Sequence, residues 1–331
     1  LRRYISDRPD HQHSPRAAPC AHNGRAYVLG GYDSSPTTTA LYASLGSNNT
    51  IGAWSATTLL PNRLAFMPAF AYNNKAYLIG GYTGSAPTST VLYAPINSSG
   101  TIGSWATTTP LPYPLYAQGS FISEDKIYVF GGDTGSGITS TVLYAPIYSS
   151  GTIGSWATTT PLPNLLTSAS AFKTNSWAYV LGGWSGSATS TVRYATINSS
   201  GTIGSWANTT PLPVGMYLMR AAVYGSNVYV VGGYDGLSRT STVLYSQINT
   251  GNGSLGQWIN LESMPWPLSD MSFFVNNNRA YVFGGDTGTY GITSTVLSAT
   301  INGDGTLGPW GQGNATIDGG SGVELNTLLS I

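Results

Sequence analysis

The sequence repeats itself at intervals of about fifty residues. GTIGSWATTTPLP stands at Gly100–Pro112 and again at Gly151–Pro163, and it returns at Gly201–Pro213 with Asn208 in place of a threonine. A double glycine after an apolar run keeps the same interval, its first glycines being Gly30, Gly80, Gly131, Gly182, Gly232 and Gly284. A tryptophan also recurs once per interval, at Trp54, Trp105, Trp156, Trp206, Trp258 and Trp310. Six structural units are therefore predicted.

Each unit contains four candidate strands. In the third unit they are Gln118–Ser123, Lys126–Phe130, Ser140–Ile147 and Ile153–Thr159, which are rich in β-branched and aromatic residues and bounded by turn residues. No segment shows a helical pattern of useful length. Four short antiparallel strands, repeated six times, predict an all-β fold, a six-bladed β-propeller.

The repeated residues have predicted structural roles. The tryptophan of each unit is expected to fill the gap between neighbouring blades, because a large apolar ring gains most from burial. Pro110 and Pro112 are expected to end a strand before the chain crosses to the next blade. The double glycines are expected where the backbone bends or closely approaches a neighbour, since glycine has no Cβ.

The pattern resembles the kelch repeat. It combines the double glycine, a tyrosine on the following strand (Tyr93, Tyr144, Tyr194, Tyr245) and a later tryptophan. The resemblance spans about residues 14–317 and implies a propeller. Two features depart from the family pattern: the 12 residues from Tyr93 to Trp105 are more than is usual, and the arginine of the first strand has only Arg16 and Arg63 as nearest candidates.

The predicted domain plan has three parts. Residues 1–13 form an N-terminal strand or clasp, residues 14–317 form the propeller, and residues 318–331 form a C-terminal tail. Tyr4 and Pro9 precede Gly30 by the same numbers of residues as Trp105 and Pro110 precede Gly131. The N-terminus is therefore predicted to be a further copy of the fourth strand. An alternative is that the chain is cut from a longer protein.

The composition excludes several kinds of partner. Charged residues make up 8% of the chain and the net charge is zero, against roughly 25% charged residues in ordinary domains. Nucleic acid and anionic lipid both require clustered Lys and Arg, so neither is an expected partner.

The sequence also lacks a membrane helix and a disulfide. No apolar run is long enough for a membrane helix, and Cys20 is the only cysteine, so no intrachain disulfide forms. Abundant Thr, Ser, Asn and Gly favour a secreted or cell-surface protein.

One face of the propeller is the predicted ligand-binding surface. In an antiparallel blade, the loop that leaves the second strand and the connection that enters the first strand lie at the same end. Aromatic, aspartate and arginine residues concentrate in these loops: Tyr32, Asp33, Tyr82, Asp133, Trp184, Tyr234, Asp235, Asp286, Arg16, Arg63 and Asp270. Such residues suit a glycan or protein partner. The structural alternative is that the rings pack locally and the aspartates cap turns.

Three functions remain open. The favoured one is an extracellular binding or interaction module. The alternatives are a sugar-modifying enzyme of mutarotase or lyase type, and a structural subunit of a surface filament or layer. A homo-oligomer or filament is also a predicted form of self-association. The family resemblance includes sialic-acid mutarotases and copper oxidases, but copper oxidation there needs Tyr and His ligands from different blades, and all the histidines (His11, His13, His22) lie near the N-terminus.

No catalytic residue, metal site or cofactor is assigned. Asp133, Asp270 and Asp286 could approach one another, yet nothing marks two of them as a matched acid–base pair. The spacing of the histidines and Cys20 fits no common zinc motif.

Asparagine-linked glycosylation is predicted only if the protein is secreted. Sequons occur at Asn48, Asn97, Asn198, Asn208, Asn252 and Asn314.

Overall fold

The computed structural model describes residues 18–46, 51–288 and 291–312, and this part of the chain is all-β. It forms six four-stranded antiparallel sheets, the blades, each built from one continuous segment of the chain. The first three blades contain the strands Ala18–His22, Arg25–Leu29, Ala40–Ser44, Ser55–Ala56; Ala69–Tyr72, Lys75–Ile79, Val91–Pro95, Ala106–Thr108; and Gly119–Ser123, Lys126–Phe130, Val142–Pro146, Ala157–Thr159. The last three contain Ser170–Lys173, Trp177–Leu181, Val192–Thr196, Ala207–Asn208; Arg220–Tyr224, Asn227–Val231, Val243–Gln247, Ile259–Asn260; and Ser272–Asn276, Arg279–Phe283, Val296–Thr300, Gly311–Gln312.

Two short strands, Tyr32–Asp33 and Ser35–Pro36, form an additional ribbon in blade 1. The predicted six-bladed propeller is confirmed. Within the described residues there is no helix with the length and apolar character needed to cross a membrane.

The blades form a closed ring. Six apolar clusters fill the spaces between neighbouring blades, and each includes one of the six repeated tryptophans. The cluster that joins blade 6 to blade 1 contains Phe283 and Val28, and Trp54 of blade 1 meets the Phe283 ring edge-on at 6.3 Å. The first strands of blades 1 and 6 are also in contact. The predicted place of the tryptophans between blades is therefore confirmed, although each indole is only half-buried.

The second strand of every blade lies deepest. Its last four residues are buried in all six blades, because neighbouring sheets cover both of its faces. A tyrosine lies in the middle of each, and Tyr128 is representative: it is 1% exposed and its hydroxyl donates to the Gly201 carbonyl of the next blade at 2.8 Å. Burial raises the pKa of Tyr128 to about 12, so the phenol keeps its proton and this hydrogen bond at a pH near 10, where an exposed tyrosine ionises.

The double glycines allow neighbouring backbones to touch. The Gly132 N–H donates to the Leu166 carbonyl at the approach to the next blade, at 2.8 Å. Gly131 has a φ of 57°, and a Cβ on it would overlap the same carbonyl oxygen. The same arrangement recurs at the other described blade junctions, for example at Gly31 and Leu64, at 2.8 Å. The role predicted for these glycines is confirmed.

The identical thirteen-residue segments bind to one another. Thr108 and Thr109 of the first copy face the second copy in the next blade. The Ile153 N–H donates to Thr108 Oγ1 at 2.8 Å, Thr109 Oγ1 donates to the Ile153 carbonyl at 2.5 Å, and Trp156 Nε1 donates to the Thr109 carbonyl at 3.1 Å. The second and third copies repeat these bonds. The second copy is therefore hydrogen-bonded to both of the others, through the threonines, the isoleucine and the tryptophan that the segments share.

The fourth strand is shorter than predicted. In blade 3 the expected range was Ile153–Thr159, but only Ala157–Thr159 pairs as a strand, while Ile153 forms an isolated bridge with Ile147. The reason is that the backbone of Ile153 bonds to the preceding blade.

At the junction between blades 6 and 1, the Trp54 indole N–H has no acceptor among the described residues. The predicted clasp and tail, residues 1–13 and 318–331, lie outside the described residues.

Candidate functional site

The loops predicted to share one face do so. We call it the loop face; it comprises the loops between second and third strands and the connections into the first strands. In blade 3, Asp133 from the first kind of loop and Tyr116 from the second exchange backbone hydrogen bonds of 2.9 and 3.0 Å. Tyr217 and Tyr234 do the same in blade 5, at 3.0 and 2.8 Å. Residues distant in sequence are thus held side by side in every blade from 2 to 6.

A chain of hydrogen bonds runs around this face from blade 2 to blade 6. Its members are Phe66, Ala117, Ser168, Leu218 and Asp270, each fourteen residues before a double glycine. The N–H of each member after Phe66 donates to the carbonyl of the member in the preceding blade, which gives four bonds of 2.9 to 3.1 Å. All five have φ between 55° and 60°, a left-handed conformation that is unfavourable for residues other than glycine. Such strain concentrates at functional sites.

The first aromatic group covers blades 1 to 3. It consists of Tyr32, Phe66, Tyr82 and Tyr116, all half-buried. The ring of Phe66 lies 5.5 Å from Tyr32 and 6.2 Å from both Tyr82 and Tyr116, and the last two are 5.7 Å apart. Four rings from three blades therefore form one continuous surface.

The second aromatic group covers blades 4 and 5. The Tyr217 ring lies 5.1 Å from Trp184 and 5.4 Å from Tyr234. The guanidinium carbon of Arg239 is 5.7 Å from the centre of the Tyr234 ring, and Arg239 Nη2 bonds to Asp286 Oδ2 at 2.5 Å. Arg239 was not among the predicted site residues; its proximity to Tyr234 could have been inferred, since it lies only five residues further along the same loop.

The predicted aspartates hold the loops in shape. Asp133 Oδ1 accepts the Gly135 N–H at 2.8 Å, and Asp286 Oδ1 accepts the Gly288 N–H at 2.7 Å. Asp235 Oδ1 accepts the N–H groups of Leu237 and Ser238, both at 2.8 Å. The turn-capping role considered as the structural alternative is thus present at Asp133, Asp235 and Asp286.

The remaining predicted residues are more dispersed. Asp270 is buried within the hydrogen-bonded chain, and Asp33 is half-buried in the short ribbon of blade 1. Arg63 is exposed, with Nη1 3.4 Å from Ser35 Oγ. Arg16 lies outside the described residues. Across the part of the chain that the structure describes, no three His, Cys, Asp or Glu side chains cluster as metal ligands do.

Two sequon asparagines have a structural role in the hairpins opposite the loop face. The side-chain amides of Asn97 and Asn198 donate to Thr101 and Thr202, each at 2.9 Å. Asn302, which is not part of a sequon, makes the same bond at 2.9 Å. The hairpin therefore favours asparagine whether or not a glycan is attached.

The other sequons are divided by location. Asn208 and Asn252 are exposed, while Asn48 and Asn314 lie outside the described residues.

Comparison with protein-family models identifies the family. The model described as the KLHDC2/KLHL20/DRC7 Kelch-repeats domain matches residues 67–285. The chain belongs to the kelch-repeat family. Kelch propellers generally mediate protein interactions, so the fold is that of a binding module.

A solved structure shares the kelch-like fold. The protein in "Structure of YjhT" aligns with a TM-score of 0.72 over 90% of this chain and 98% of that one, at 13% sequence identity. This similarity concerns the fold alone. No curated protein matches the sequence.

Proposed function

We propose that the loop face binds a protein partner, and that this kelch propeller acts as a recognition module outside the cell. The observation that carries the proposal is the pair of aromatic groups, which place seven rings from five blades on one face. Tyr, Trp and Arg are the residue types that dominate binding energy at protein interfaces. Because their loops are fixed by backbone hydrogen bonds, little ordering entropy is lost on binding.

Exposed apolar side chains support a protein partner. Leu237, in the same loop as Tyr234, is 89% exposed. Leu165 and Val214, in the connections into blades 4 and 5, are also exposed. Apolar side chains around an aromatic centre are typical of protein-binding surfaces. Tyr and Trp rings also stack on sugars, so glycan binding is the second outcome that the test below distinguishes.

We expect loss of binding when rings are removed from the loop face. The probe is a displayed library of short peptides, selected on the immobilised full-length chain; a glycan array is screened in parallel. Trp184→Ala and Tyr82→Ala should each weaken the selected ligands at least about tenfold, which corresponds to roughly 1.4 kcal/mol. Titration calorimetry or surface plasmon resonance measures the affinities.

The matched control is Tyr148→Ala. Tyr148 is 54% exposed in the hairpin of blade 3 on the opposite face, and its removal should leave affinity unchanged. Peptides that bind Trp184→Ala and Tyr82→Ala as tightly as the unaltered chain contradict the assignment. Hits confined to the glycan array, and lost in the same two variants, replace the protein partner by a sugar.

A further inference from the structure

A second site lies on the face opposite the loop face, where blades 1 and 2 meet. It is a cleft of about 390 Å³, within the range of small-molecule pockets. Its lining is His22, Asn23, Arg25, Tyr27, Asn74, Ile96, Asn97 and Ser98. None of these residues is acidic, although the chain has as many acidic as basic residues. The cleft is therefore a polar pocket with a positive charge.

Arg25 supplies that charge. It begins the second strand of blade 1, and its side chain crosses Gly100 in the blade 2 hairpin, where a Cβ would collide with it. No described residue accepts a hydrogen bond from its guanidinium group. Lys126, at the equivalent position of blade 3, is paired with Asp125 at 2.9 Å. The guanidinium N–H groups of Arg25 are therefore available to a ligand, whereas the lysine at the equivalent position of blade 3 is neutralised by an aspartate.

The opposite wall of the cleft is held in place by His22. Its Nε2 bonds to Asn74 Oδ1 at 2.7 Å, and Asn23 Nδ2 also approaches that oxygen at 3.3 Å. These bonds join the turns of two blades and orient the Asn74 amide. With its oxygen occupied, Asn74 retains amide N–H donors that have no acceptor among the described residues.

We propose that this cleft binds a small monocarboxylate. The planar guanidinium fork of Arg25 matches the two oxygens of a carboxylate. The Asn74 amide and the Ser98 hydroxyl add neutral donors, and Ile96 offers a small apolar surface to the remainder of the ligand. A single fixed positive charge matches a single negative charge, which favours a carboxylate over a phosphate dianion. The site is separate from the loop face and does not depend on its function.

The test uses a charged probe and its neutral counterpart. N-acetylglycine and N-acetylglycinamide differ only in carboxylate against amide; inorganic phosphate is the third probe. Titrations are followed by calorimetry or NMR on the full-length chain. We expect saturable binding of N-acetylglycine and none of the amide. Arg25→Gln should weaken binding at least about tenfold, whereas Lys126→Gln should leave it unchanged.

Arg25→Lys provides a variant that fits the fold. Lysine already crosses the equivalent glycine at the next two blade junctions: Lys75 of blade 2 crosses Gly151 of blade 3, and Lys126 of blade 3 crosses Gly201 of blade 4. It keeps the charge but loses the fork, so its affinity should fall between those of the unaltered chain and Arg25→Gln. Three results overturn the proposal: equal binding of the acid and the amide, tighter binding of phosphate, or no saturation by N-acetylglycine up to about 10 mM.

Discussion

Replacing Gly131 with alanine should lower the free energy of unfolding by about 4 kcal/mol. The new Cβ would overlap the Leu166 carbonyl oxygen of the next blade, and alanine is strained at a φ of 57°. If Leu166 moved away to relieve this overlap, its carbonyl would lose the 2.8 Å hydrogen bond that it accepts from the Gly132 N–H. Equilibrium unfolding in urea, followed by tryptophan fluorescence, measures the loss.

Gly137→Ala is the matched control for this substitution. Gly137 lies in the loop that follows the same double glycine, but no atom lies within 4 Å of its added Cβ and its φ is not positive. Its effect should stay within about 0.5 kcal/mol. If the two variants are equally stable, the double glycine is not where neighbouring blades make their closest approach.

Trp156→Ala should cost about 2–4 kcal/mol, the second largest effect expected. The half-buried indole packs on the cluster between blades 2 and 3, and its Nε1 donates to the Thr109 carbonyl at 3.1 Å. Both contacts disappear with the ring. The same urea measurement applies.

Trp156→Phe separates the two contributions. Phenylalanine keeps an aromatic ring between the blades but has no N–H, so the loss should be about 1 kcal/mol. A Trp156→Phe variant as unstable as Trp156→Ala would assign the effect to the hydrogen bond alone. A stable Trp156→Ala would contradict the inter-blade role of the indole.

The architecture was predictable because the repeat exposes it. A fifty-residue period with one double glycine and one tryptophan leaves few folds other than a propeller. The interior was predicted less completely: the sequence indicated tryptophan as the residue between blades, but Tyr128 and its equivalents are the more deeply buried rings. Each lies in a continuous apolar run, where no alternation of polar residues reveals which neighbour the ring contacts.

The loop face was predictable in position but not in detail. Strand order alone brings Asp133 and Tyr116 to the same end of a blade. The hydrogen-bonded chain through Phe66 and Ser168 could not be foreseen, because left-handed conformations at residues other than glycine leave no compositional signal. The cleft at Arg25 was also missed, since it depends on contacts between hairpins of two blades.

Ring closure is the central claim about the fold, because it brings the loops of all six blades to one face, and distances between paired spin labels measure it directly. Ser44, Thr196 and Thr300 are exposed residues that end the third strands of blades 1, 4 and 6. Nitroxides are attached to cysteines at these positions in a chain whose Cys20 is replaced by serine, and pulsed electron resonance gives the distances. In a closed ring blade 1 lies beside blade 6 and opposite blade 4, so the 44–300 distance should be shorter than the 44–196 distance. A 44–300 distance longer than the 44–196 distance would show an open stack and contradict the account.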